Sequence, residues 1–237
     1  ATRGTPVANM VAISGTEVIT SVRAVPSLGG DASLLLCTRR GEVKRLPLST
    51  LSGIRASGLV AMDLEKGDEL VSAQVVGPEE EVILVTRKGL GLRIRVAGIP
   101  LRSRQAGGVR GIRLGKEDEV VAMEALLPGG HLLTVSSKGF GKRTPLDEFR
   151  GLGRGSRGIT AFSVTAKTGP VAVARVVPPE PEGDLVVASA RANILRTTLG
   201  EVPVYHRASQ GARIMALEEG DGVASLAVVW EREGPRP

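Results

Sequence analysis

The amino-acid sequence predicts an all-β fold made of repeated blades, as in a propeller. One pattern recurs about every fifty residues: an apolar run, a short basic turn with a small residue, and a basic return segment. A glycine-containing anchor follows each turn by 17 to 19 residues, and both features keep their register through four copies. The apolar runs are short and rich in Val, Leu and Ile, which is typical of strands.

Each repeat is predicted to begin with a tight hairpin, because a turn of two to three residues containing Gly joins antiparallel strands. The turns lie at Gly41, Gly89, Gly139 and Ala192. The anchors lie at Gly58, Gly108, Gly158 and Gly211, each before another apolar stretch. Roughly four strands per repeat is typical of a blade, whereas helical solenoids and parallel β-helices do not fit the strand pattern or the period.

We interpret residues 1–237 as one domain. The repeats span approximately 1–31, which is partial, then 32–79, 80–129, 130–182 and 183–237. The opening segment RGTPVANMVAI, residues 3–13, matches the second half of a repeat with Gly4 at the anchor. We therefore expect about five visible blades or part of a six-bladed ring within a longer protein. The only helix predicted is a short one near residues 145–149, and the basic hairpins are predicted to form the outer edges of the blades.

Charge is segregated by position within the repeat. Residues 39–58, 87–113, 138–158 and 191–213 hold 23 of the 31 basic residues and only four acids, while the connectors after the anchors are acidic. A single charged turn usually does no more than interact with solvent. Positive charge at the same position of all four repeats favours binding to a regular polyanion such as duplex DNA. We expect a basic belt, with the acidic connectors on a different face. Arginine outnumbers lysine 24 to 7, which favours fork-like contacts with phosphates.

The candidate DNA-binding residues come from all four repeats. They are Arg39, Arg40, Lys44, Arg45, Arg87, Lys88, Arg93, Arg95, Arg102, Arg104, Arg110, Lys138, Lys142, Arg143, Arg154, Arg157, Arg191, Arg196, Arg207 and Arg213. Some are expected to pair with acids of a neighbouring blade, leaving roughly half for DNA.

Composition excludes several other function classes. Aromatic residues make up 2%, which argues against a carbohydrate cleft and against base-stacking platforms. One cysteine and two histidines leave no disulfide and little metal chemistry. Cys37 is expected to be buried, and Tyr205 is interpreted as a loop anchor rather than a nucleophile. We expect no catalytic residue, no metal, no cofactor and no membrane span.

The repeated elements TRRGEVKR, TRKGLGLRIR, SSKGFGKRT and GGVRGIRLGKEDEVV resemble the C-terminal domain of the gyrase A protein of DNA gyrase. That family also includes the topoisomerase IV counterpart. The most specific matches are GVRGIRL, KGFGKRT and the opening RGTPVAN. The resemblance implies a β-pinwheel whose blades exchange strands, and whose gyrase members wrap double-stranded DNA around a basic rim to support negative supercoiling. It implies an accessory domain, with the catalytic tyrosine and the metal site in other domains.

The implied partners are DNA, the rest of the gyrase A protein and the gyrase B protein, in the bacterial cytoplasm at the nucleoid, with the isolated domain monomeric. The gyrase box, QRRGG followed by a basic residue and Gly, is echoed here only by RQAGGVRG at residues 104–111. A topoisomerase IV domain is therefore one alternative. A propeller-type protein interaction module, which would lack salt-dependent DNA binding, is another.

Overall fold

The computed structural model describes residues 17–25, 28–54, 58–180 and 182–230, and it confirms the all-β prediction. The strands are β1 (Ser33–Thr38), β2 (Glu42–Pro47), β3 (Leu70–Val76), β4 (Glu81–Thr86), β5 (Leu90–Arg95), β6 (Val109–Arg110), β7 (Val120–Ala125), β8 (His131–Ser136), β9 (Phe140–Pro145), β10 (Ile159–Thr160), β11 (Val171–Val177), β12 (Asp184–Ser189), β13 (Ile194–Thr198), β14 (Ala212–Arg213) and β15 (Val223–Val229). The opening half-repeat at residues 3–13, with Gly4, lies outside the described residues.

The strands form four antiparallel sheets, one for each repeat. Their strand orders are β3-β1-β2-β6, β7-β4-β5-β10, β11-β8-β9-β14 and β15-β12-β13. In each sheet the hairpin is followed on one side by the last strand of its own repeat. These last strands, β3, β7, β11 and β15, contact one another in sequence and so form the inner side of the arrangement.

The opposite side of each of the first three sheets is supplied by the following repeat. The short strands β6, β10 and β14 pair with β2, β5 and β9, respectively. The hairpins therefore occupy the middle of these sheets. The prediction that they form the outer edges is wrong there, because an exchanged strand takes that place. Of the hairpin strands in the described residues, only β13 lies at an edge.

The turn glycines adopt the backbone conformation that the sequence predicted. Gly41, Gly89 and Gly139 have φ values of 82°, 81° and 78°, and Ala192 occupies the corresponding place with φ 64°. A side chain would also collide with the exchanged strand, since a Cβ on Gly89 would lie 2.3 Å from the Phe162 carbonyl oxygen. Glycine at these turns thus permits both the turn and the close approach of the next repeat.

The hydrophobic core lies between neighbouring sheets. Alternate residues of β4 point to opposite sides: Val82 and Leu84 pack towards the first repeat, whereas Ile83 and Val85 pack towards the third. Strands buried on both faces explain why the apolar runs are continuous rather than alternating. Cys37 is fully buried in the first of these clusters, as expected.

A one-turn 3-10 helix follows every hairpin, although the sequence predicted a helix only near residues 145–149. These turns are Leu48–Leu51, Val96–Gly98, Leu146–Glu148 and Leu199–Glu201, each beginning with a buried apolar residue. A turn this short carries no helical periodicity, so the pattern gives no signal for it. Among the described residues, no helix has the length and apolar character needed to cross a membrane.

Candidate nucleic-acid interface

The twenty candidate residues fall into three groups by exposure. The exposed ones are Arg39, Arg40, Arg87, Lys88, Arg95, Arg102, Arg104, Arg110, Lys138, Arg154, Arg157, Arg191, Arg196 and Arg213. Arg93 and Arg207 are half-buried, and Lys44, Arg45, Lys142 and Arg143 are buried. The exposed residues lie in two places, at the hairpin tips and along the outer side of the sheets.

The hairpin tips are the turns between the two hairpin strands of each repeat, and the connectors are the segments between the anchor glycine and the last strand of the repeat. Basic residues at the tips contact acids of the connectors. Arg39 lies 2.6 Å from Glu69 and 3.8 Å from Glu119, which also lies 2.9 Å from Arg87. Arg40 and Arg191 are paired in the same way, with acids of the connectors at 3.6 and 3.8 Å. These tip arginines are therefore paired with acids, whereas the ammonium groups of Lys88 and Lys138 donate to the carbonyls of Lys116 and Ala166 at 2.7 and 2.6 Å.

The expectation of separate charged faces is wrong for these tips, and the topology explains why. The inner strand of each repeat is antiparallel to the first hairpin strand, with Thr38 opposite Leu70, so the connector before it ends beside the turn. Connector aspartates also accept hydrogen bonds from turn amides: Asp68 from Arg40 at 3.0 Å and Asp221 from Arg191 at 3.1 Å. The side-chain hydrogen bond from Ser189, with those from the backbone, holds the pKa of Asp221 below its usual value.

This role of the connector aspartates was not anticipated from the sequence. The available signal is an aspartate that recurs at one register, in residues 68, 118 and 221, whereas the charge pattern predicts only an acidic face. The third connector, TAKTG, has no acid, and its Lys167 lies 5.4 Å from the ring of Phe140, as does Arg213.

The outer side of the sheets carries the second group of exposed cations. After the second, third and fourth 3-10 turns the chain crosses to the preceding sheet, where Leu101 pairs with Arg45, Gly151 with Arg93 and Val204 with Arg143. We call residues 101–110, 151–160 and 204–213 the rim loops. They carry the exposed residues Arg102, Arg104, Arg110, Arg154, Arg157 and Arg213.

Successive rim loops are linked to each other. The guanidinium of Arg154 donates to the carbonyl of Arg110 at 3.3 Å, and that of Arg207 donates to the carbonyl of Thr160 at 3.0 Å. Within the described chain, no salt bridge joins an exposed rim arginine to an acid, in contrast to the tips. The rim loops thus form a continuous cationic strip across three sheets.

Five candidates lie wholly or partly inside the fold: four are buried, and Arg93 is half-buried. Arg45 and Arg143 donate to the carbonyls of Val96 and Val202, in the turns of the following repeat, at 3.4 and 2.7 Å. Arg93 is paired with Glu81 and donates to two carbonyls near the third 3-10 turn.

Lys44 and Lys142, predicted to face DNA, are both fully buried under rim loops. Desolvation lowers the pKa of Lys44 and lowers that of Lys142 to about 8. The sequence predicts all five at the surface because it places them on basic return strands. In the structure, the exchanged segments cover those strands. Arg196 on β13 shows the contrast, since its side chain stays 71% exposed while paired with Asp184.

Tyr205 is fixed through its backbone rather than its ring. Its amide donates to the carbonyl of Arg143 at 2.9 Å, and its carbonyl accepts from the Thr144 hydroxyl at 3.0 Å, while the side chain is exposed. The neighbouring His206 contacts Glu148 at 3.1 Å. Across the described ranges, no group of three His, Cys, Asp or Glu side chains is placed to hold a metal ion.

Comparison with known proteins places this arrangement among DNA gyrase domains. The family model described as "DNA gyrase C-terminal domain, beta-propeller" matches residues 32–77, 80–126, 130–177 and 183–229. The gyrase A protein of Dehalogenimonas lykanthroporepellens is 36% identical over 235 residues, covering 97% of this chain and 29% of that protein. The gyrase A protein of Mycolicibacterium smegmatis is 34% identical over 227 residues, covering 95% of this chain and 27% of that protein.

Two solved structures share the fold. A DNA gyrase A C-terminal domain aligns with a TM-score of 0.84 and 25% identity, over 96% of this chain and 75% of that one. A C-terminal domain of DNA topoisomerase IV aligns with a TM-score of 0.87 and 23% identity, over 96% of this chain and 71% of that one. The chain spans less than a third of the gyrase A proteins that it matches.

Proposed function

The chain belongs to the family of DNA gyrase C-terminal domains, and we propose on that basis that it binds and bends duplex DNA as an accessory domain of a type II topoisomerase. Identities of 34 to 36% to gyrase A proteins favour gyrase over topoisomerase IV. In this proposal the domain supports negative supercoiling by presenting bent DNA to catalytic domains elsewhere in the enzyme. Its partners are the remainder of the gyrase A protein and the gyrase B protein, in the bacterial cytoplasm.

The observation that carries the proposal is the strip of rim arginines. Arg104, Arg154 and Arg207 occupy equivalent places in three successive rim loops, so the cations recur at one structural step. Duplex DNA carries one negative charge per roughly 1.7 Å, and neutralising its phosphates releases condensed counterions. The guanidinium groups of this strip run from sheet to sheet and have no acidic partners in the described part of the chain. A duplex that bends to follow them makes more phosphate contacts, which offset the free-energy cost of bending.

Sequence-independent binding follows from the chemistry of the strip. The exposed groups are guanidinium cations suited to phosphate oxygens. Buried aromatic residues such as Phe140, Phe149 and Phe162 are not available for stacking on bases. We therefore propose contacts with the DNA backbone and little preference for sequence.

A salt titration of binding to 20- and 60-base-pair duplexes tests the proposal. If about six to ten phosphates are neutralised, the affinity falls with a log–log slope of roughly −5 to −9. The longer duplex should bind more tightly, because it offers more positions at which the strip can contact the DNA backbone. Equal, salt-insensitive affinity for both lengths, or no binding at ~50 mM salt, would refute the proposal and favour a protein interaction module.

A further inference from the structure

Two buried lysines lie directly beneath rim loops. The Lys44 ammonium donates to the carbonyl oxygens of Ala61, Arg104 and Ala106 at 2.7, 2.7 and 2.6 Å. Both side chains, Lys44 and its counterpart Lys142, have no exposed surface. Neither can reach a phosphate while the loop above it stays in place.

Lys142 makes equivalent contacts two sheets away. It donates to the carbonyls of His206 and Arg207 at 2.6 and 2.7 Å and to the Ser209 hydroxyl at 3.3 Å. Its ammonium also lies 5.6 Å from the centre of the Phe162 ring. Each ammonium, with three hydrogens to donate, is therefore supplied with three oxygens.

The acceptors belong mainly to the segments that carry the rim arginines. Arg104 contributes its carbonyl to Lys44 and its exposed side chain to the rim, and Arg207 does the same above Lys142 with a half-buried side chain. If the loop moved away, a buried charge would lose its partners, at a high cost in free energy. The lysines thus couple the position of the loop backbone to the sheet beneath.

The middle rim loop provides an internal comparison. Leu92 stands where the other sheets have lysine: it is opposite Leu84, as Lys44 is opposite Leu36 and Lys142 is opposite Thr134. Above Leu92 the loop reads RGLGRGSRG, residues 150–158, and is held by backbone hydrogen bonds and by the exposed Arg154. A buried ammonium therefore fixes the first and third rim loops but not the second.

We propose that Lys44 and Lys142 are positioning residues for DNA bending. They hold the first and third rim loops at fixed places two sheets apart, and the second loop adapts to the duplex between them. They do not contact DNA. The part of this inference that concerns bending rests on the proposed function, whereas the fixation of the loops does not.

Amide hydrogen exchange in the absence of DNA tests the fixation of the loops. The amides of Ala106, Ser156 and Ser209 each close the same kind of turn, donating to a carbonyl three residues earlier at 3.2, 3.2 and 3.0 Å. We expect Ala106 and Ser209 to exchange at least about tenfold more slowly than Ser156. Lys44→Met should remove the protection of Ala106 alone, and Lys142→Met that of Ser209 alone. Equal exchange of the three amides in the unchanged chain, or loss of all protection together in either variant, would overturn the inference.

DNA bending is then measured with the double variant Lys44→Met/Lys142→Met and the matched control Leu92→Met. Fluorescence energy transfer between the ends of a 20-base-pair duplex should fall for the double variant and stay unchanged for the control. The salt slope should stay within about half a unit of the original, since no phosphate contact is lost. A slope flattened by about 1.8 units would mean that the lysines bind phosphates themselves, and unchanged transfer would mean that they do not position the loops for bending. If the unchanged chain fails to bind DNA, the proposed function fails, and the exchange experiment still decides the fixation of the loops.

Discussion

Replacing Arg102, Arg104 and Arg110 together by alanine removes the exposed cations of one rim loop. If each guanidinium neutralises one phosphate, the log–log salt slope should flatten by about 2.7 units, at about 0.9 per phosphate. Over the fourfold rise from about 50 to 200 mM salt, the affinity of the variant should therefore fall about 40-fold less than that of the unchanged chain. The variant should also bind every sequence more weakly, since the contacts are to the backbone.

The matched control removes the same number of charges from the tips. In Arg39→Ala/Arg40→Ala/Arg87→Ala each lost guanidinium was paired with a connector acid, so we expect the slope to change by less than about one unit. Both variants should fold normally, because exposed ion pairs and free surface charges contribute about 0–1 kcal/mol each to stability. Binding is followed by fluorescence anisotropy with a 60-base-pair duplex at several salt concentrations. A larger effect of the tip variant than of the rim variant would refute the assignment of the DNA path.

Three further predictions concern the fold itself. Lys142 has a folded-state pKa of about 8, below the 10.5 of the free side chain, so between these pH values the unfolded chain binds the proton more tightly than the folded chain. The free energy of unfolding, and with it the urea midpoint, should therefore rise with pH from about 8 to 10.5. The rise should be smaller in Lys142→Met. Gly139→Ala should lower the free energy of unfolding by more than about 2 kcal/mol, because its Cβ would lie 2.2 Å from the Met215 carbonyl oxygen at a φ of 78°, whereas Ala192→Gly should change it by less than about 1 kcal/mol. Cys37 should resist a thiol reagent until the protein unfolds, since it is fully buried and desolvation raises the pKa of its thiol; modification at the rate of a free thiol in the native chain would contradict its placement.

The sequence predicts most of what depends on local chemistry. The sequence predicts Gly41, Gly89 and Gly139 as turn residues because tight hairpins need a positive φ, and the structure confirms them. The burial of Cys37 followed from its place in an apolar run. The repeat of about fifty residues predicted the number of hairpins in the described chain for the same reason, since each hairpin is a local element.

What depends on the partner of each strand could not be read from the residues. The exchanged strands β6, β10 and β14 are two residues long, and their pairing with the preceding repeat was implied only by the family resemblance. A lysine on a basic return strand is predicted to be exposed when the exchanged loop above it is not known, and this is why the sequence places Lys44 and Lys142 at the surface. The pairing of tips with connectors was missed for the same reason, because it depends on which strand lies beside the hairpin.

The central claim is that DNA follows the rim loops rather than the hairpin tips. Arginine modification with phenylglyoxal, read by mass spectrometry with and without a 60-base-pair duplex, tests it most directly. We predict that DNA protects Arg102, Arg157 and Arg213 while Arg40 and Arg191 react at the same rate as in the free protein. Protection of the tip arginines with no protection of the rim would contradict this path.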